Sequence, residues 1–400
     1  MAKTVLLISR CPPYPLHLGD RLIVYHLARA LHARGCTIDL LAYTQNRSDW
    51  HQQAEYSQFF REIHLVREPV RPPGEILMRW LLPGRRFPRM ALQSFSPEMW
   101  SLVESQTRKH RYDLAHLFGG VHVYEFRHAL GDLPALIVPY ESYTLYLRRA
   151  IATHGRFSDR LRLLAARGFE RFMFEPYART VVLAPPDRGE LLQLNPRLSI
   201  DVIPNGIDLD YFQPDESQGR DPATLLFFGN YEYAPNVDAA QVLASEILPR
   251  VQQKLPQARL LLAGNAPPPS LRALASDSIE VLGRVPDLRP LMQRATLFVC
   301  PLRTGAGLKN KVLEAMAMRL PVVATPISSD GIDASSDREL VLADLAAMPQ
   351  AVLDLLQDSE RRAALADAGR ALVEERYSWA RIADQYIALY DEISQQRISR

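Results

Sequence analysis

The sequence has 400 residues, of which 47% are hydrophobic and 23% are charged, a composition typical of a globular protein. A chain of this length favours two domains, and it contains no apolar run of the roughly 20 residues that would cross a membrane. The early run VLLIS is too short for a signal peptide, and three scattered cysteines indicate neither a disulfide framework nor a zinc site. We therefore expect an intracellular, cytoplasmic protein.

The net charge of +2 conceals an uneven distribution along the chain. Residues 1–200 carry 27 Lys and Arg against 18 Asp and Glu, whereas residues 201–400 carry 20 against 27. Some of the excess arginines are mixed with apolar residues, as in residues 78–90 (MRWLLPGRRFPRM). This pattern fits either a solvated surface or contact with an anionic membrane or acidic acceptor. No zinc-finger, RNP or basic-helix pattern accompanies it, so nucleic acid is not an expected partner.

Short apolar runs alternate with segments of helical periodicity, which is the pattern of βα units with parallel sheets. The first series of predicted strands comprises residues 4–9, 37–43, 114–118, 135–138, 180–184 and 200–204, with a helix over 19–33. The polar segment 213–222 is interpreted as a linker. The second series comprises residues 224–229, 258–264, 279–283, 296–300, 321–325 and 339–343. The expected fold class is α/β, with two Rossmann-like domains of doubly wound parallel sheet.

A glycine-rich loop follows the predicted strand 296–300 and opens a predicted helix, GAGLKNKVLEAMA, over residues 305–317. Lys309 and Lys311 lie where backbone N–H groups already carry partial positive charge, so cations are unfavourable there without an opposing anion. Glycines allow backbone amides to approach such an anion, and a diphosphate fits. Glu314 would then accept hydrogen bonds from sugar hydroxyls. The alternative is an exposed Lys311–Glu314 pair, which would contribute only about 0.2–0.5 kcal/mol.

Segments along nearly the whole chain resemble glycosyltransferases of family 4, which have the GT-B fold. They are residues 13–31, 202–212, 227–243, 305–325 and 376–393. The resemblance implies an N-terminal acceptor-binding domain over residues 1–204 and a C-terminal nucleotide-sugar-binding domain over 205–375. It also implies that the two domains face a cleft, and that a terminal helix, 376–400, packs back on the first domain.

The resemblance also implies site residues. On the donor side they are Gly305, Ala306, Gly307, Leu308, Lys309, Lys311, Glu314, Arg284 and Val285. On the acceptor side the candidates are Gly19, Asp20, Arg21, His116 and Glu141, and structural roles are the alternative for Asp20, Arg21 and His116. Glu141 is the nearest polar residue at a position where the family often has a histidine.

Three further positions depart from the family pattern. Ala306 replaces a common glutamate, and Asn230 and Asn236 replace a common arginine and lysine. Lys309 and Lys311 are therefore expected to supply the positive charge, acting electrostatically in catalysis, and no catalytic base is assigned.

The activity implied is retaining transfer of a sugar from a nucleoside diphosphate sugar to a hydroxyl of a lipid-linked or saccharide acceptor. Such a reaction belongs to the synthesis of cell-surface polysaccharide or glycoconjugate, with the enzyme peripheral on the inner face of the cytoplasmic membrane. Lysines and loop amides suffice to neutralise the diphosphate, so neither a metal nor a cofactor is expected. The alternatives are a non-catalytic nucleotide-sugar-binding protein and a sugar-nucleotide epimerase of the same fold.

Overall fold

The computed structural model describes residues 3–16, 19–155, 157–215, 217 and 219–398. The chain divides into two compact units: Met1–Arg148, Arg156–Gly206 and Trp379–Arg400 form the first, and Arg149–Gly155 and Ile207–Ser378 form the second. The division after Gly206 precedes the segment interpreted as a linker. Four residues of the predicted opening loop and linker lie outside the described residues: His17, Leu18, Glu216 and Gln218.

A parallel sheet of seven strands forms the centre of the first unit. Its strands are β1 (Thr4–Ser9), β2 (Thr37–Thr44), β3 (Glu62–Arg67), β4 (Leu114–Phe118), β5 (Ala135–Tyr140), β6 (Arg179–Val182) and β7 (Ile200–Val202). Their order across the sheet is β3-β2-β1-β4-β5-β6-β7. Successive side chains of β1 enter different core clusters, Val5 and Leu7 on one face and Leu6 and Ile8 on the other. Both faces are therefore covered, as a parallel sheet requires.

The helices of the first unit cover the two faces of this sheet. They are α1 (Gly19–His32), α2 (Ser48–His51), α3 (Pro73–Leu81), α4 (Pro97–Lys109), α5 (Tyr143–His154), α6 (Phe157–Met173) and α7 (Pro185–Leu194). Residues 149–154 of α5 cluster with the second unit. The terminal helix, Trp379–Ile398, belongs to the first unit and packs against α1 and β4. Its core-facing side includes Trp379, Tyr386 and Tyr390.

The second unit contains a parallel sheet of six strands. The strands are β8 (Thr224–Phe228), β9 (Arg259–Ala263), β10 (Ile279–Gly283), β11 (Leu297–Cys300), β12 (Val322–Ala324) and β13 (Val341–Leu342). The helices are α8 (Ala234–Val242), α9 (Leu248–Gln252), α10 (Pro269–Arg272), α11 (Arg289–Arg294), α12 (Asn310–Ala317), α13 (Met348–Gln357) and α14 (Ser359–Arg376), and the terminal helix of the first unit is α15. A π-helical turn, Leu243–Ile247, connects α8 to α9.

The strands of the second sheet lie in the order β10-β9-β8-β11-β12-β13. Successive strands of the chain are added on one side of β8 as far as β10 and then on its other side from β11 onward, so the point of reversal lies between β8 and β11. Loops that follow these two strands leave toward opposite sides, and open parallel sheets bind ligands at such a point. The predicted fold class, with two doubly wound parallel sheets, is confirmed, and every predicted strand is present. Among the described residues, no helix has the length and apolar content needed to cross a membrane.

Candidate active site

Two loops follow the strands at the reversal point of the second sheet, residues 229–233 after β8 and residues 301–309 after β11. Gly229 opens the first loop. A Cβ atom at this position would lie 2.7 Å from Lys311 Nζ and 2.8 Å from Asn236 Nδ2. The absence of a side chain at residue 229 therefore leaves room for the Lys311 ammonium at the carboxyl end of β8.

Lys311 lies in the first turn of α12 and reaches the neighbouring strand β8. Its Nζ donates to Asn236 Oδ1 at 2.5 Å and lies 4.7 Å from the centroid of the Phe227 ring. Burial lowers the pKa of Lys311 to about 8, and the nearby charge of Lys309 acts in the same direction. In the described part of the chain, the Lys311 ammonium forms no ion pair within 4 Å. A partly desolvated cation without a carboxylate partner is suited to binding an anion.

Of the two asparagines that depart from the family pattern, Asn236 contacts this lysine directly. Asn236 is buried, its Nδ2 donates to Asn230 O at 2.7 Å, and its Oδ1 accepts the bond from Lys311. Asn230 Oδ1 accepts from the backbone N–H of Glu232 at 3.1 Å. A lysine from α12 thus places its positive charge at the end of β8, beside Asn236.

Lys309 has a different environment, although it lies only two residues away. Its side chain is buried, and Nζ donates to Ala306 O and Gly307 O, both at 2.7 Å. Gly305 and Gly307 have φ values of +122° and +67°, a region that disfavours side chains. Lys309 therefore bonds to the backbone of the turn that these glycines allow.

Neighbouring side chains hold both ends of the glycine loop. Ser328 Oγ donates to Cys300 O at 2.6 Å and accepts from Leu302 N at 3.2 Å, where the chain leaves β11. Arg149, which clusters with the second unit, donates from Nη1 to Gly305 O at 2.7 Å and to Asp330 Oδ2 at 2.6 Å. Arg149 is not among the residues predicted from the sequence, because no local pattern connects it with a loop so distant in the chain.

Glu314 lies one turn after Lys311 on α12 and is half-buried. Burial raises the pKa of Glu314 to about 7, and the charge of Lys311 opposes that shift. No ion pair forms between these two described side chains, so the exposed-pair interpretation does not describe them. A carboxyl group that gains or loses its proton near neutral pH can either donate or accept a hydrogen bond.

The remaining predicted donor-side residues occupy more peripheral or more buried positions. Ala306 is buried in the glycine loop, and Leu308 is half-buried against the core. Arg284 and Val285 follow β10, which β9 separates from β8; Arg284 is exposed and Val285 packs against the core. The structure therefore places the loop residues beside Lys311, while Arg284 and Val285 follow the edge strand of the sheet.

Gly19, Asp20 and Arg21 form the first turn of α1 in the first unit. Gly19 is exposed, and Asp20 pairs with Arg10 at 3.2 Å. Arg21 is buried and donates to both carboxylate oxygens of Asp49, at 2.6 and 3.2 Å. These contacts give Asp20 and Arg21 structural partners within their own unit.

His116 and Glu141 lie near the middle of the first sheet. His116 is fully buried in β4, where its Nδ1 and the Tyr390 hydroxyl are 2.7 Å apart. Burial lowers the pKa of His116 to about 3, so the ring is neutral at physiological pH. Glu141 is half-buried directly after β5, whose last residue, Tyr140, has a φ of +70°. Of the two, only Glu141 has solvent-accessible surface at a strand end.

Comparison with known proteins extends these observations. A family model described as "Glycosyltransferase Family 4" matches residues 22–211, and one described as "Glycosyl transferases group 1" matches residues 222–358. The sequence is 29% identical over 211 residues to a phosphatidyl-myo-inositol mannosyltransferase of Mycobacterium tuberculosis, covering 48% of this chain and 54% of that protein.

A second relative, from Corynebacterium glutamicum, is 30% identical over 199 residues, covering 44% of this chain and 52% of the relative. Its name is GDP-mannose-dependent monoacylated alpha-(1-6)-phosphatidylinositol monomannoside mannosyltransferase. The matches thus span about half the length of these curated relatives. Among solved structures, sucrose-phosphate synthase from Thermosynechococcus elongatus has a TM-score of 0.73 at 19% identity, with 98% of this chain and 99% of that chain covered.

Proposed function

Because the chain belongs to glycosyltransferase family 4 and has the GT-B fold, we propose that it transfers a sugar, with retention of configuration, from a nucleoside diphosphate sugar to a hydroxyl group. The acceptor is a lipid-linked or saccharide molecule. The observation that carries the proposal is the Lys311 ammonium, held at the reversal point of the second sheet beside a glycine loop and the start of α12.

The donor diphosphate would bind between Lys311 and the backbone amides of the loop. Charge-assisted hydrogen bonds to a phosphate contribute more than neutral ones, and the partly desolvated ammonium strengthens the attraction. During transfer the bond between the sugar C1 and the diphosphate oxygen breaks, and negative charge accumulates on the diphosphate. Lys311 would stabilise that charge, which is how it would act in catalysis. Lys309 contributes by maintaining the loop and by adding positive charge nearby.

The acceptor oxygen forms the new bond to C1 on the face that the diphosphate leaves, and its proton passes to the departing diphosphate. This step needs no protein nucleophile, and no side chain is assigned as a base. Glu314 would bind a hydroxyl of the donor. Since Lys311 and the loop amides neutralise the diphosphate, the proposal requires neither a metal ion nor a cofactor.

The relatives suggest where to begin the search for substrates. One is named as GDP-mannose-dependent, and both are named for acceptors that carry phosphatidylinositol. We propose GDP-mannose as the first donor to assay, a membrane lipid as the first acceptor, and a peripheral location on the inner face of the cytoplasmic membrane. Cell-surface glycoconjugate synthesis is the corresponding process.

The test is acceptor-dependent release of nucleoside diphosphate from a panel of nucleotide sugars, with and without a membrane extract and with and without EDTA. We expect release only with donor and acceptor together, unchanged by EDTA. Lys311→Ala should reduce it at least tenfold, whereas Lys254→Ala, which changes an exposed lysine of the same unit, should not. Glu314→Gln should weaken binding of the complete donor more than binding of pyrophosphate. Isomerised donor, or binding without transfer across the panel, would contradict the proposal.

A further inference from the structure

Helix α6 carries an apolar stripe on its solvent-facing side. Phe157, Leu161 and Leu164 are 71%, 58% and 59% exposed. They are spaced i, i+4 and i+7, so they lie on one face of the helix, and Gly168 continues the same face. Large apolar side chains exposed singly are common, but three in register on one helix mark an interaction surface.

Helix α3 covers the end of this stripe and adds apolar surface of its own. A Cβ atom on Gly168 would lie 1.7 Å from Trp80 Nε1, so the Trp80 indole rests on the α6 backbone at that point. Leu77 and Leu81 of α3 are 47% and 57% exposed. The two helices belong to the same unit and contact each other directly. We call these exposed residues of α3 and α6, with the arginines described next, the α3–α6 face.

Arginines accompany the apolar side chains of this face. Arg160, Arg167 and Arg171 are exposed, and helical periodicity puts them along one flank of the α6 stripe. Arg85 and Arg89, also exposed, follow α3 in the chain. Among the described residues, no carboxylate lies within 4 Å of any of these guanidinium groups. The one acidic residue of the first turn of α6, Asp159, is buried and pairs with Arg162 at 3.5 Å. The face is therefore apolar with unneutralised positive charge at its margin.

We propose that the α3–α6 face docks the first unit on an anionic lipid bilayer. The apolar side chains would enter the boundary between headgroups and acyl chains, while the long arginine side chains reach the phosphates. Charge complementarity favours an anionic bilayer over a second copy of this chain as the partner. The unpaired arginines are attracted to lipid phosphates, whereas they would repel the same arginines on a second copy. The inference rests on the proposed function only in that a lipid acceptor requires the enzyme at a membrane.

The test is sedimentation of the full-length protein with vesicles of neutral phosphatidylcholine and with vesicles containing phosphatidylglycerol. We expect binding to the anionic vesicles that falls at 0.5 M NaCl, because salt screens surface attraction.

The double variant Arg160→Ala/Arg167→Ala should weaken this binding roughly five- to thirtyfold, given the attraction of each arginine to an anionic surface. Leu161→Gln/Leu164→Gln should weaken it comparably at every salt concentration. Trp50→Gln/Arg197→Ala, an exposed pair on other parts of the unit, should bind like the unchanged protein.

Circular dichroism and nucleoside diphosphate affinity, measured on every variant, separate this proposal from the proposed function. Variants that fold, keep nucleotide affinity and lose vesicle binding support the docking face. Vesicle binding that is unchanged in both double variants overturns it, as does equal binding to neutral and anionic vesicles. A concentration-dependent dimer that the same substitutions dissociate would also overturn it. Transfer to a soluble acceptor would remain intact in each of these cases, whereas failure of the proposed function would abolish it.

Discussion

Lys311 shows how a side chain from one element can place its charge at the end of another element. It starts on α12, but its ammonium lies beside Phe227 and Asn236 at the end of β8. The sequence pattern predicted a cation that faces an anion, and in the described part of the chain this cation forms no ion pair with a carboxylate. Sequence alone could not give the contact with Asn236, because it depends on β8 and β11 being neighbours in the sheet.

Nucleoside diphosphate affinity is expected to fall as the pH rises through 8. Burial lowers the pKa of Lys311 to about 8, so most of the free protein carries the ammonium at pH 7 and little carries it at pH 9. The affinity should fall up to roughly tenfold across this range. Calorimetric titration with a nucleoside diphosphate at several pH values measures it. Lys311→Ala should bind weakly at every pH, and a pH profile shared by both proteins would contradict the assignment.

Glu314→Gln is expected to change the pH dependence of stability. The folded-state pKa of about 7 exceeds the ordinary value of 4.5, so this carboxyl group stabilises the fold fully below about pH 4.5. That contribution is lost as the pH rises through 7. Glutamine stays neutral, so the variant should gain about 1–3 kcal/mol relative to the unchanged protein at pH 8 and almost nothing at pH 4.5. Urea unfolding at the two pH values tests this, and a pH-independent difference would contradict it.

At the scale of elements, periodicity predicted strands well where both faces are buried. β1 and β4 have the predicted bounds, and β8 differs by one residue. β3 (Glu62–Arg67) was not predicted, because its polar residues interrupt the apolar pattern; β10, which is also an edge strand, has fewer of them and was predicted. The carboxylate of Glu62 accepts a 2.6 Å bond from Lys109 on α4, so tertiary contacts stabilise a strand that local sequence does not indicate.

The glycine loop after β11 depends on Lys309 for its conformation. Lys309→Met removes two charge-assisted bonds to the carbonyl groups of Ala306 and Gly307 while retaining the apolar stem. We expect the unfolding free energy to fall by about 1.5–3 kcal/mol. Nucleotide affinity should also fall, because the loop loses the conformation that these bonds maintain. Hydrogen exchange should accelerate in residues 301–309. Lys254→Met is the matched control, and unchanged exchange in Lys309→Met would show that the loop does not need these bonds.

At the scale of the whole molecule, the first unit is assembled from both ends of the chain. The terminal helix α15 contributes Trp379, Tyr386 and Tyr390 to a core that also contains residues of β1 and β4. The second unit is formed largely by residues between these segments and has its own core. The alternation of apolar runs with helical segments was sufficient to predict two parallel sheets, whereas the exact division after Gly206 depends on contacts that no local pattern records.

Tyr390→Ala is therefore expected to destabilise the first unit while leaving the second unit, which carries the proposed nucleotide site, folded. The substitution removes a fully buried ring and leaves His116 Nδ1 without its hydroxyl partner, at a cost of about 3–5 kcal/mol. Hydrogen exchange should accelerate throughout β1, β4 and α1, with residues 224–342 still protected and still binding nucleoside diphosphate. Tyr390→Phe keeps the ring and removes only the hydroxyl, so it should cost about 1 kcal/mol. Loss of protection in both units at the same denaturant concentration would show instead that they unfold as one cooperative structure.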